Sequence, residues 1–490
     1  MKWYTALSSH SSEDYIKMLN VAVYSCLKNT SFKPHIVCDE PIPATEDLAR
    51  KYGDSIVIKY HKGRVYESFC EQFKDDTSLS NQLGTVGTYL RAEVPLLEEE
   101  DPFVLYTDAD VVFFNPRNGP QNIPQPKYFA AAPEFDYNNW SYFNAGSMII
   151  NVKSMKESYD MFYDFVTVNF KKLIDHAHDQ GAYNHLFKNK WDRLPLEYNW
   201  KPGWGYNDKA VVLHFHGPKP KDVESYFNKT LQNIDIDVPV DGTELYKNLI
   251  ERDTEAYKKY LAIYKDYENS SYSLSHEDYR NEKLDLKLDK ILNHKENGVF
   301  IELGANNGLV QNNTYFFEKA RNWTGILIEP SFSAYKECEK NRPNSKCYNV
   351  ACVSADYKDE YIMGDFNGGL MSSVDGKRNN SNNLTKVKAS TLETILDNVS
   401  TSDTISIDLL SLDVEGYELQ VLDGLNLKKY SPKYILIEIY KDQYTKIENF
   451  LLSNGYVLHS NFTNYNKKHN PYWDGSHNDY LFVFTGDTKS

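Results

Sequence analysis

The sequence predicts two consecutive α/β domains, each with a mostly parallel sheet covered by helices. Three observations predict this fold class. The chain has 490 residues, which is more than one hydrophobic core usually supports. Short apolar runs alternate with helical patterns both before residue 250 and after residue 286, as in layered α/β domains. No repeat relates the two halves, so we expect two different domains rather than a duplication.

The first predicted domain, residues 1–245, alternates strands and helices. Apolar residues recur three and four apart in the predicted helices, which makes them amphipathic. These helices cover Ile16–Leu27 and Met155–Phe170. The predicted strands are short apolar runs at Trp3–Leu7, His35–Asp39, Ser55–Tyr60, Phe103–Tyr106 and Ser147–Asn151.

Residues 246–290 are predicted to form a helical linker between the domains. Residues 243–267 are charged and helical in period, and the polar breaker 269–273 follows them. The alternative is a surface helix of the first domain.

The second predicted domain, residues 291–490, has a doubly wound pattern. The predicted helices include Thr314–Ala320 and Ser333–Asn341. The predicted strands are Gly298–Leu303, Gly325–Glu329, Cys347–Val353, Ile405–Asp413 and Tyr434–Ile439.

Composition excludes several classes of protein. Hydrophobic residues make up 41% and charged residues 25% of the chain, which is ordinary for globular proteins. The formal net charge is −15, with about −8 in residues 1–250 and about −7 in the rest. No basic domain is present, so we do not expect a nucleic-acid partner.

Location is predicted from three negative features. No apolar stretch reaches the roughly 18–20 residues of a membrane helix. The chain opens on a strand-like stretch rather than a signal peptide. The six cysteines show no Cys-x-x-Cys spacing and are typical of reduced thiols. We therefore expect a cytoplasmic protein without a transmembrane segment.

An Asp-x-Asp motif is the strongest chemical feature of the first half. The apolar strand ending at Tyr106 leads directly into Asp108 and Asp110. On an extended chain, residues i and i+2 point the same way. Two carboxylates on one face suit Mg²⁺ or Mn²⁺, with a diphosphate in the remaining positions. An acidic turn after a strand is the alternative interpretation.

Three further motifs follow the acids. Tyr142–Asn151 joins a small-residue turn to an apolar strand, His178–Asn184 opens a helix with polar side chains, and Val211–Pro220 ends a strand with histidine and lysine. In this order, the four motifs make residues 1–225 resemble the retaining glycosyltransferases of family 8, the group that contains glycogenin and lipopolysaccharide galactosyltransferases.

That resemblance implies a GT-A fold, a Rossmann-like domain that transfers a sugar from a nucleotide sugar such as a UDP-sugar, with retention of configuration. It implies that Asp108, Asp110 and His214 ligate Mn²⁺ or Mg²⁺. The implied catalytic residues, which position groups and stabilise charge, are Asp179, Gln180 and Arg91. The implied nucleotide-sugar-binding residues are Ala6, Leu7, Tyr15, Arg91, Asp108, Ala109, Asp110, Asn144, Ala145, Gly146, Asp179, Gln180, His214, Gly217 and Lys219.

Structural alternatives accompany these assignments. A strand-end histidine such as His214 is ordinarily structural, and only its partners favour a ligand role. Arg91 could pair with a nearby acid such as Glu93. His216 is predicted to be structural or solvated. The side chains of Trp140, Trp200 and Trp204 could form a sugar platform or pack in the core.

A second chemical site is predicted where the strand Val299–Leu303 meets a turn. That turn carries only Gly304 and Gly308, so it lacks the Gly-x-Gly-x-x-Gly pattern of dinucleotide sites. The next strand ends at Glu329, where an acid commonly grips a ribose diol. This combination fits S-adenosylmethionine better than NAD. A Rossmann-like fold whose acid merely caps a helix is the alternative.

Asp413 and Glu415 follow a later strand of the same half. With the motifs around Glu302, Glu329 and Glu438, they make residues 295–485 resemble FkbM-type methyltransferases. The resemblance implies a Rossmann-like class I fold and S-adenosylmethionine-dependent O-methylation, often of sugars. It implies that Asp413 and Glu415 orient or deprotonate the acceptor hydroxyl, or hold a metal. The implied S-adenosylmethionine-binding residues are Glu302, Gly304, Asn306, Gly308, Glu329, Asp356 and Asp413.

Together the two resemblances imply a bifunctional glycan-synthesis enzyme whose partners are a nucleotide sugar and a glycan acceptor. Two alternatives remain open at this point. The first half could be a non-catalytic sugar-binding module of a methyltransferase, or the second half could be a degenerate scaffold. The fusion resembles glycan-modifying enzymes of large DNA viruses and of bacteria with surface polysaccharides. A viral source would place the protein in the host cytoplasm.

Overall fold

The computed structural model describes residues 1–74, 87–114, 123–231, 244–366, 373–374, 383–399, 405–469, 471 and 473–486. The chain divides into two compact units, Met1–Ser271 and Tyr272–Ser490. This division falls inside the segment 246–290. No helix among the described ranges is both long enough and apolar enough to cross a membrane.

The first unit alternates strands and helices, as its sequence pattern predicts. Its strands are β1 Lys2–Leu7, β2 Lys33–Cys38, β3 Val57–Tyr60, β4 Phe103–Thr107, β5 Val111–Phe113, β6 Phe129–Pro133, β7 Phe143–Asn151, β8 Asp192–Arg193 and β9 Val212–His214. Its helices are α1 Glu13–Asn29, α2 Pro43–Tyr52, α3 Arg64–Phe73, α4 Leu90–Leu97, α5 Val152–Glu157, α6 Tyr159–Ile174, α7 His178–Leu186, α8 Pro220–Leu231, α9 Glu244–Arg252 and α10 Thr254–Tyr272.

A seven-stranded sheet in the order β3-β2-β1-β4-β7-β6-β8 forms the centre of this unit. Strands β3, β2, β1 and β4 run parallel, and β7 is antiparallel to both β4 and β6. A separate antiparallel pair, β5 and β9, follows the end of β4. Apolar side chains from both faces of the large sheet form the two largest cores of the unit. The predicted fold class is confirmed here.

The second unit is also built from alternating strands and helices. Its strands are β10 Val299–Leu303, β11 Thr324–Ile328, β12 Lys346–Tyr348, β13 Ala351–Cys352, β14 Tyr361–Gly364, β15 Thr385–Ser390, β16 Leu409–Leu412, β17 Tyr434–Tyr440, β18 Tyr456–Asn461 and β19 His477–Phe484. Its helices are α11 Leu284–Ile291, α12 Tyr315–Ala320, α13 Phe332–Asn341, α14 Leu392–Val399, α15 Glu418–Asp423 and α16 Tyr444–Ser453.

The large sheet of this unit has the order β12-β11-β10-β16-β17-β19-β18. Its first five strands run parallel, and β19 is antiparallel to β17 and β18. Cores of apolar side chains cover the sheet. Because the order reverses between β10 and β16, the carboxyl ends of these strands open a crevice where α/β proteins bind ligands.

Three predicted elements are wrong in detail. The helix predicted over 155–170 is two helices that meet at Ser158, whose hydroxyl and amide both bond to the carbonyl of Ser154. The strand predicted over 347–353 breaks at Asn349, whose side-chain amide donates to the carbonyls of Glu329 and Pro330. The strand predicted over 405–413 covers only Leu409–Leu412.

Residues 246–290 are divided between the two units. In α10, Ala256, Tyr260 and Tyr264 are buried in a cluster with Leu213 and Phe215 of the first unit. Leu284 and Leu288 of α11 belong instead to a core of the second unit that contains Phe300 and Trp323. Both helices thus bury an apolar face within their own unit.

Candidate active sites

In the first unit, strand pairing brings a histidine to the Asp-x-Asp motif. β4 ends and β5 begins on either side of the motif, and β5 pairs with β9 so that Val111 lies opposite His214. His214 Nε2 consequently lies 3.3 Å from Asp110 Oδ1. Asp108, Asp110 and His214 each offer one ligand atom, all within 4.8 Å of one another. This is the one group of three such residues found in the described part of the chain.

Gly146 on β7 makes room for these side chains. Its carbonyl accepts a 2.9 Å hydrogen bond from the Asp108 amide, so β7 passes directly beside the motif. A Cβ atom here would lie 2.2 Å from His214 Cε1 and 2.8 Å from Asp108 Oδ2. Only glycine permits the histidine and the carboxylate to meet at this point.

A chain of hydrogen bonds fixes the tautomer of His214. The Gly146 amide donates to Asn144 Oδ1, which also accepts from Asn199 Nδ2. The oxygen of the Asn199 side chain therefore faces His214 Nδ1, at 2.8 Å. Since that oxygen only accepts, Nδ1 carries the proton and Nε2 keeps its lone pair.

The donor set fits a divalent cation. The lone pair of His214 Nε2 faces Asp110 Oδ1, which has no hydrogen-bond partner among the described residues although it is buried. Two acceptors facing each other in the interior are unfavourable unless a cation lies between them. Burial would raise the pKa of Asp110, but that pKa is held below its usual range, and the ammonium of Lys219, which contacts Asp110 Oδ2, is the main group that lowers it.

Arg91 on α4 joins two acids of this site. Its guanidinium lies 2.6 Å from Asp108 Oδ1 and 2.9 Å from Asp179 Oδ2. It is buried and stacks over the ring of Tyr106 at 4.7 Å. Burial raises the pKa of Asp179 to about 6, with Arg91 opposing the shift and Asp108 adding to it. Arg91 therefore contacts the site, and Glu93 bonds elsewhere, to His61 and Tyr159.

Gln180 is held in one orientation. Its Oε1 accepts from the Ala145 amide at 2.8 Å, so its Nε2 is the atom that donates to Glu134 Oε2 at 3.0 Å. Glu134 Oε1 in turn lies 3.0 Å from His216 Nε2. Glu134 was missed by sequence reasoning because a single acid after β6 belongs to no motif. His216, predicted to be structural, forms part of this network.

The remaining predicted nucleotide contacts lie at the end of β1, after β4 or β9, or on α1. Leu7 and Ala109 are buried in the core, and Ala6 is partly buried against it. Tyr15 is 39% exposed, with Lys219 Nζ 5.9 Å from its ring centre. Gly217 has a φ of 91°, a left-handed backbone that favours glycine between His214 and Lys219.

The tryptophans beside the site pack mainly against other rings. The Trp200 ring meets that of Trp204 edge to face at 5.6 Å, and its Nε1 donates to the Gly205 carbonyl. The Trp140 ring stacks with that of Trp191 at 6.0 Å. Trp204 Nε1 donates to the Phe135 carbonyl. The indole N–H groups of Trp200 and Trp204 are thus used within the fold, which favours a packing role for both.

In the second unit, a cavity of about 460 Å³ opens at the carboxyl ends of β10, β11 and β16. One end is lined mainly by apolar side chains and by the turn after β10. The other end is lined by acids and histidines, which are His276, Asp413, Glu415, Glu438, His477 and Asp479.

The turn after β10 fits closely against its neighbours. A Cβ atom on Gly304 would lie 1.9 Å from the carbonyl oxygen of Asp413. Glu329 accepts hydrogen bonds from the amides of Asn306 and Ser331, both at 2.8 Å, and burial raises its pKa to about 7. This glycine and this acid shape the apolar end of the cavity, where the backbone can approach a ligand.

Three predicted cofactor-binding residues lie outside the cavity lining. Glu302 is buried and bonds to Asn313 and Thr314. Gly308 packs against Cys338 on α13, where a Cβ would lie 3.1 Å from its sulfur. Asp356 is exposed and accepts from the Ser354 hydroxyl. Gly304, Asn306, Glu329, Asp413 and Glu415 do line the cavity.

Strand register places three carboxylates in a row at the polar end. Leu412 lies opposite Ile437, so Asp413 comes next to Glu438, and Glu438 lies directly opposite Asp479 on β19. Burial and mutual repulsion raise the pKa values of Asp413 and Glu438 well above the usual range. Glu438 is 8% exposed, and its Oε2 has no hydrogen-bond partner among the described residues.

Histidines and a tyrosine flank this row. His276 Nε2 lies 3.4 Å from Asp479 Oδ2, and His477 Nε2 lies 3.2 Å from Glu438 Oε1. Glu415 has a φ of 54° and accepts a 2.6 Å hydrogen bond from the Tyr440 hydroxyl. Sequence reasoning missed His276 and Asp479 because they lie far apart in the chain and outside any motif.

Comparison with known proteins assigns a family to each unit. Residues 6–221 match the family model described as glycosyl transferase family 8. Residues 302–458 match the model described as methyltransferase FkbM domain. The chain carries a family 8 glycosyltransferase domain and an FkbM methyltransferase domain. It is thus a glycosyltransferase and a methyltransferase, as the sequence motifs predicted. No curated protein sequence matches the chain significantly.

Several solved structures are similar to parts of the chain. The galactosyltransferase LgtC in complex with donor and acceptor sugar analogs has 18% identity and a TM-score of 0.34, covering 48% of this chain and 95% of LgtC. The glycosyltransferase GlyE of Streptococcus pneumoniae has 15% identity and a TM-score of 0.35, covering 71% and 81%. The fibrillarin pre-rRNA processing protein of Methanococcus jannaschii has 13% identity and a TM-score of 0.25, covering 39% and 69%.

In the glycosyltransferase domain, the structure brings together the predicted metal ligands with Arg91, Asp179 and Lys219. Gly146 and Asn144 complete this group, and Gln180 adjoins it through Asn144. In the methyltransferase domain, some of the predicted residues line the cavity, whereas Glu302, Gly308 and Asp356 lie outside its lining. His276 and Asp479 both lie beyond residues 302–458, the range matched by the methyltransferase model.

Proposed function

We propose that the chain is a bifunctional glycan-synthesis enzyme. Its first domain transfers a sugar from a UDP-sugar to a glycan acceptor, with a divalent metal and with retention of configuration. Its second domain methylates a sugar hydroxyl with S-adenosylmethionine. The observation that carries the first activity is the group of Asp108, Asp110 and His214 around Gly146.

Asp108, Asp110 and His214 would hold Mn²⁺ or Mg²⁺. When bound, such a cation supplies Lewis-acid stabilisation to a diphosphate leaving group. Lys219, in contact with Asp110, adds a point charge for the phosphates. The hydrogen bond from Nδ1 of His214 to Asn199 keeps Nε2 available as a ligand.

Arg91, Asp179 and Gln180 would act on the sugar side. The guanidinium of Arg91 bridges Asp108 and Asp179, and so ties the metal site to the sugar site. Asp179 and Gln180 position the donor sugar and stabilise positive charge that develops at its anomeric carbon. The bonds from Ala145 and to Glu134 keep the Gln180 amide in one orientation.

The cavity of the methyltransferase domain supports the second activity. Its apolar end, with Gly304, Asn306 and Glu329, fits S-adenosylmethionine, since Glu329 is an acid at the end of the second strand. When bound, this cofactor supplies an electrophilic methyl group on a sulfonium. Asp413 and Glu415, at the polar end, would orient the acceptor hydroxyl toward it.

Calorimetry tests the first activity. Wild-type protein is titrated with UDP-glucose, UDP-galactose and GDP-mannose, each in the presence of Mn²⁺ or of EDTA. We expect binding of a UDP-sugar that requires Mn²⁺ and that Asp110→Asn abolishes. Asp164→Asn, an exposed carboxylate on α6, is the matched control and should bind as wild type does.

The same titrations separate the remaining interpretations. Binding of a UDP-sugar unaffected by EDTA would contradict metal dependence. Binding of S-adenosylmethionine without binding of any of the three donors would favour a methyltransferase whose first domain recognises glycans without transferring sugar. Slow Mn²⁺-dependent release of UDP from the bound donor would establish an active transfer site, and the anomeric configuration of the product, read by NMR, tests retention.

A further inference from the structure

We infer that His276, oriented by Asp479, is the general base that accepts the proton of the hydroxyl being methylated. This inference rests on the proposed methyltransferase function and identifies the base for it. Both residues line the polar end of the cavity whose other end is formed by Gly304 and Asn306. A base in the lining of this cavity can meet an acceptor hydroxyl that binds in the same cavity as the proposed cofactor.

The loop that carries His276 is built to hold it in place. Asp285, at the start of α11, accepts hydrogen bonds from the Ser273 hydroxyl and from the amides of Leu274 and Ser275. The Ser275 hydroxyl receives a bond from the Asp285 amide, and the His276 carbonyl accepts from the Leu284 amide at 3.1 Å. Such a network fixes the backbone on both sides of the histidine.

The far side of the loop is fixed as well. Asp278 accepts from the amides of Arg280 and Glu282 and pairs with Lys287 at 2.7 Å. The Tyr279 amide bonds to the Thr463 carbonyl at 3.0 Å, which ties the loop to the segment after β18. These bonds make the segment an ordered loop that holds His276 at a fixed place in the cavity lining.

His276 and Asp479 have the geometry of an oriented base. Nε2 of His276 lies 3.4 Å from Asp479 Oδ2, while Nδ1 has no hydrogen bond to any described residue. With its N–H directed at the carboxylate, the imidazole presents the other nitrogen as an acceptor. Asp479 would also stabilise the imidazolium that forms when the proton is taken.

The charged groups that face His276 favour proton uptake. Asp479, which contacts Nε2, raises the pKa of His276, and Lys283 lowers it. Asp413 adds to the rise only in its ionised form. Burial also opposes the rise, yet the net pKa of His276 is above its usual value. The neighbouring acids are poorer candidates for the base, because crowding and burial keep the protons of Asp413 and Glu438 in place.

The chemical step balances without a further reactant. The acceptor O–H bond breaks, and its proton moves to His276. The acceptor oxygen forms a bond to the methyl carbon while the carbon–sulfur bond breaks, and its electron pair stays on sulfur as a neutral thioether. The net products are a methyl ether, S-adenosylhomocysteine and one proton, which the imidazole then releases to solvent.

His276→Asn tests the inference in the full-length protein, with His294→Asn as the matched control. His294 also pairs with an aspartate, Asp289, but its side chain is 60% exposed and it lies outside the cavity lining. We expect His276→Asn to lower kcat of methyl transfer at least about 100-fold, with the Kd of S-adenosylmethionine, measured by calorimetry, changed less than about twofold. His294→Asn should keep both values.

Two further readouts separate a base from a structural residue. The rate of methyl transfer by wild-type protein should rise with pH through the pKa of His276, because only the neutral ring accepts a proton, and His276→Asn should remove this rise. In ¹³C-histidine NMR spectra, the His276 signal, assigned by its loss in His276→Asn, should titrate at a lower pH in Asp479→Asn. That measurement needs neither cofactor nor acceptor.

Several outcomes would overturn the inference. Activity of His276→Asn within about threefold of wild type would place the base elsewhere. Loss of S-adenosylmethionine binding in His276→Asn would show a structural role instead. A His276 titration that is unchanged in Asp479→Asn would remove the partner. Wild-type protein that binds S-adenosylmethionine but methylates no sugar hydroxyl would overturn the proposed function itself, and the inference with it.

Discussion

At the scale of single residues, the glycosyltransferase site depends on residues that are not themselves predicted metal ligands. Gly146 leaves the space in which Asp108 and His214 approach each other. Asn199 sets the tautomer of His214, and Asn144 sets the orientation of Asn199. The ligand geometry therefore rests on one missing Cβ and two amides, each of which can be changed without removing a ligand.

Gly146→Ala should disrupt metal binding while all three ligands remain. The added methyl would lie 2.2 Å from His214 Cε1, so the ring or β7 must move. We expect Mn²⁺-dependent binding of the UDP-sugar to weaken at least about tenfold. Gly203→Ala is the matched control, since its added Cβ would meet no atom closer than 3.5 Å. Equal Mn²⁺ affinity in both variants, measured by calorimetry, would contradict the crowding argument.

Asn199→Leu should weaken metal binding through His214. Without the amide oxygen, Nδ1 of His214 loses its acceptor, and the tautomer that frees Nε2 is no longer favoured. Loss of such a supporting partner typically costs about 10–100-fold in metal affinity. Asn199→Asp keeps an acceptor for Nδ1 and should bind Mn²⁺ more tightly than Asn199→Leu. The reverse order of the two variants would exclude a tautomer effect.

Residues of this kind mark the limit of what the sequence alone predicts. Asp108 and Asp110 are recognisable because they are two residues apart after an apolar strand. Their partner His214 is more than 100 residues away, and it reaches them only through the pairing of β5 with β9. Motif order predicted that partner through a family resemblance, but Asn199 and Glu134 have no motif and emerge only from the hydrogen bonds.

At the scale of elements, strand register assembles the methyltransferase site. Asp413, Glu438 and Asp479 belong to β16, β17 and β19 or their ends, and pairing places them side by side. The parallel strands were predicted from their apolar runs, but β18 and β19 were not predicted as strands. Since β19 is antiparallel and follows its sheet neighbour β17 only after α16 and β18, its position depends on tertiary contacts.

For residues 273–283, composition predicted less order than the structure shows. Their polar composition favoured a linker. Composition does not reveal that Asp285 and Asp278 collect the hydrogen bonds of this stretch, which makes it an ordered loop. The assignments of Glu302 and Gly308 to cofactor binding stay predictions, although both residues lie outside the cavity lining. A motif fixes a residue's position along the chain but not which groups it meets in the fold.

The buried carboxyl group of Glu418, at the start of α15, should make the free energy of unfolding depend on pH. Glu418 accepts bonds from the Val414 and Gly416 amides through Oε1, and its buried Oε2 has no hydrogen-bond partner among the described residues. Burial raises its pKa from 4.5 to about 7. The folded protein thus binds this proton more tightly than the unfolded chain, so the stabilisation is complete below about pH 4.5 and is lost as pH rises through 7.

Glu418→Gln should remove that pH dependence, because the amide carries no titrating proton. Between pH 5 and pH 8, the free energy of unfolding of the wild-type second unit should fall by up to about 3 kcal/mol more than that of the variant. Urea unfolding followed by pulsed hydrogen exchange of peptides from this unit measures the difference. Glu337→Gln, on the exposed face of α13, serves as the control. Parallel pH profiles for wild type and Glu418→Gln would refute the assignment.

At the scale of the whole molecule, two chemistries share one chain. Each unit has its own sheet, its own cores and its own candidate site. The described residues of each site come from one unit alone, so either site can be inactivated while the other remains intact. A covalent link between two enzymes raises the effective concentration of the product of one at the other, which matters only if one site uses what the other makes.

Methyl transfer should therefore prefer the glycosylated product over the unglycosylated acceptor. Asp110→Asn protein, supplied with S-adenosylmethionine and an unglycosylated acceptor, should form no methylated product, because the first step is blocked. The same variant supplied with product made by wild-type protein should methylate it at the wild-type rate, since the second site is unchanged. Asp413→Asn protein should form the glycosylated product and leave it unmethylated. Mass spectrometry distinguishes the species. If Asp110→Asn protein methylates both acceptors equally, the two activities share one chain but methylation does not depend on prior glycosylation.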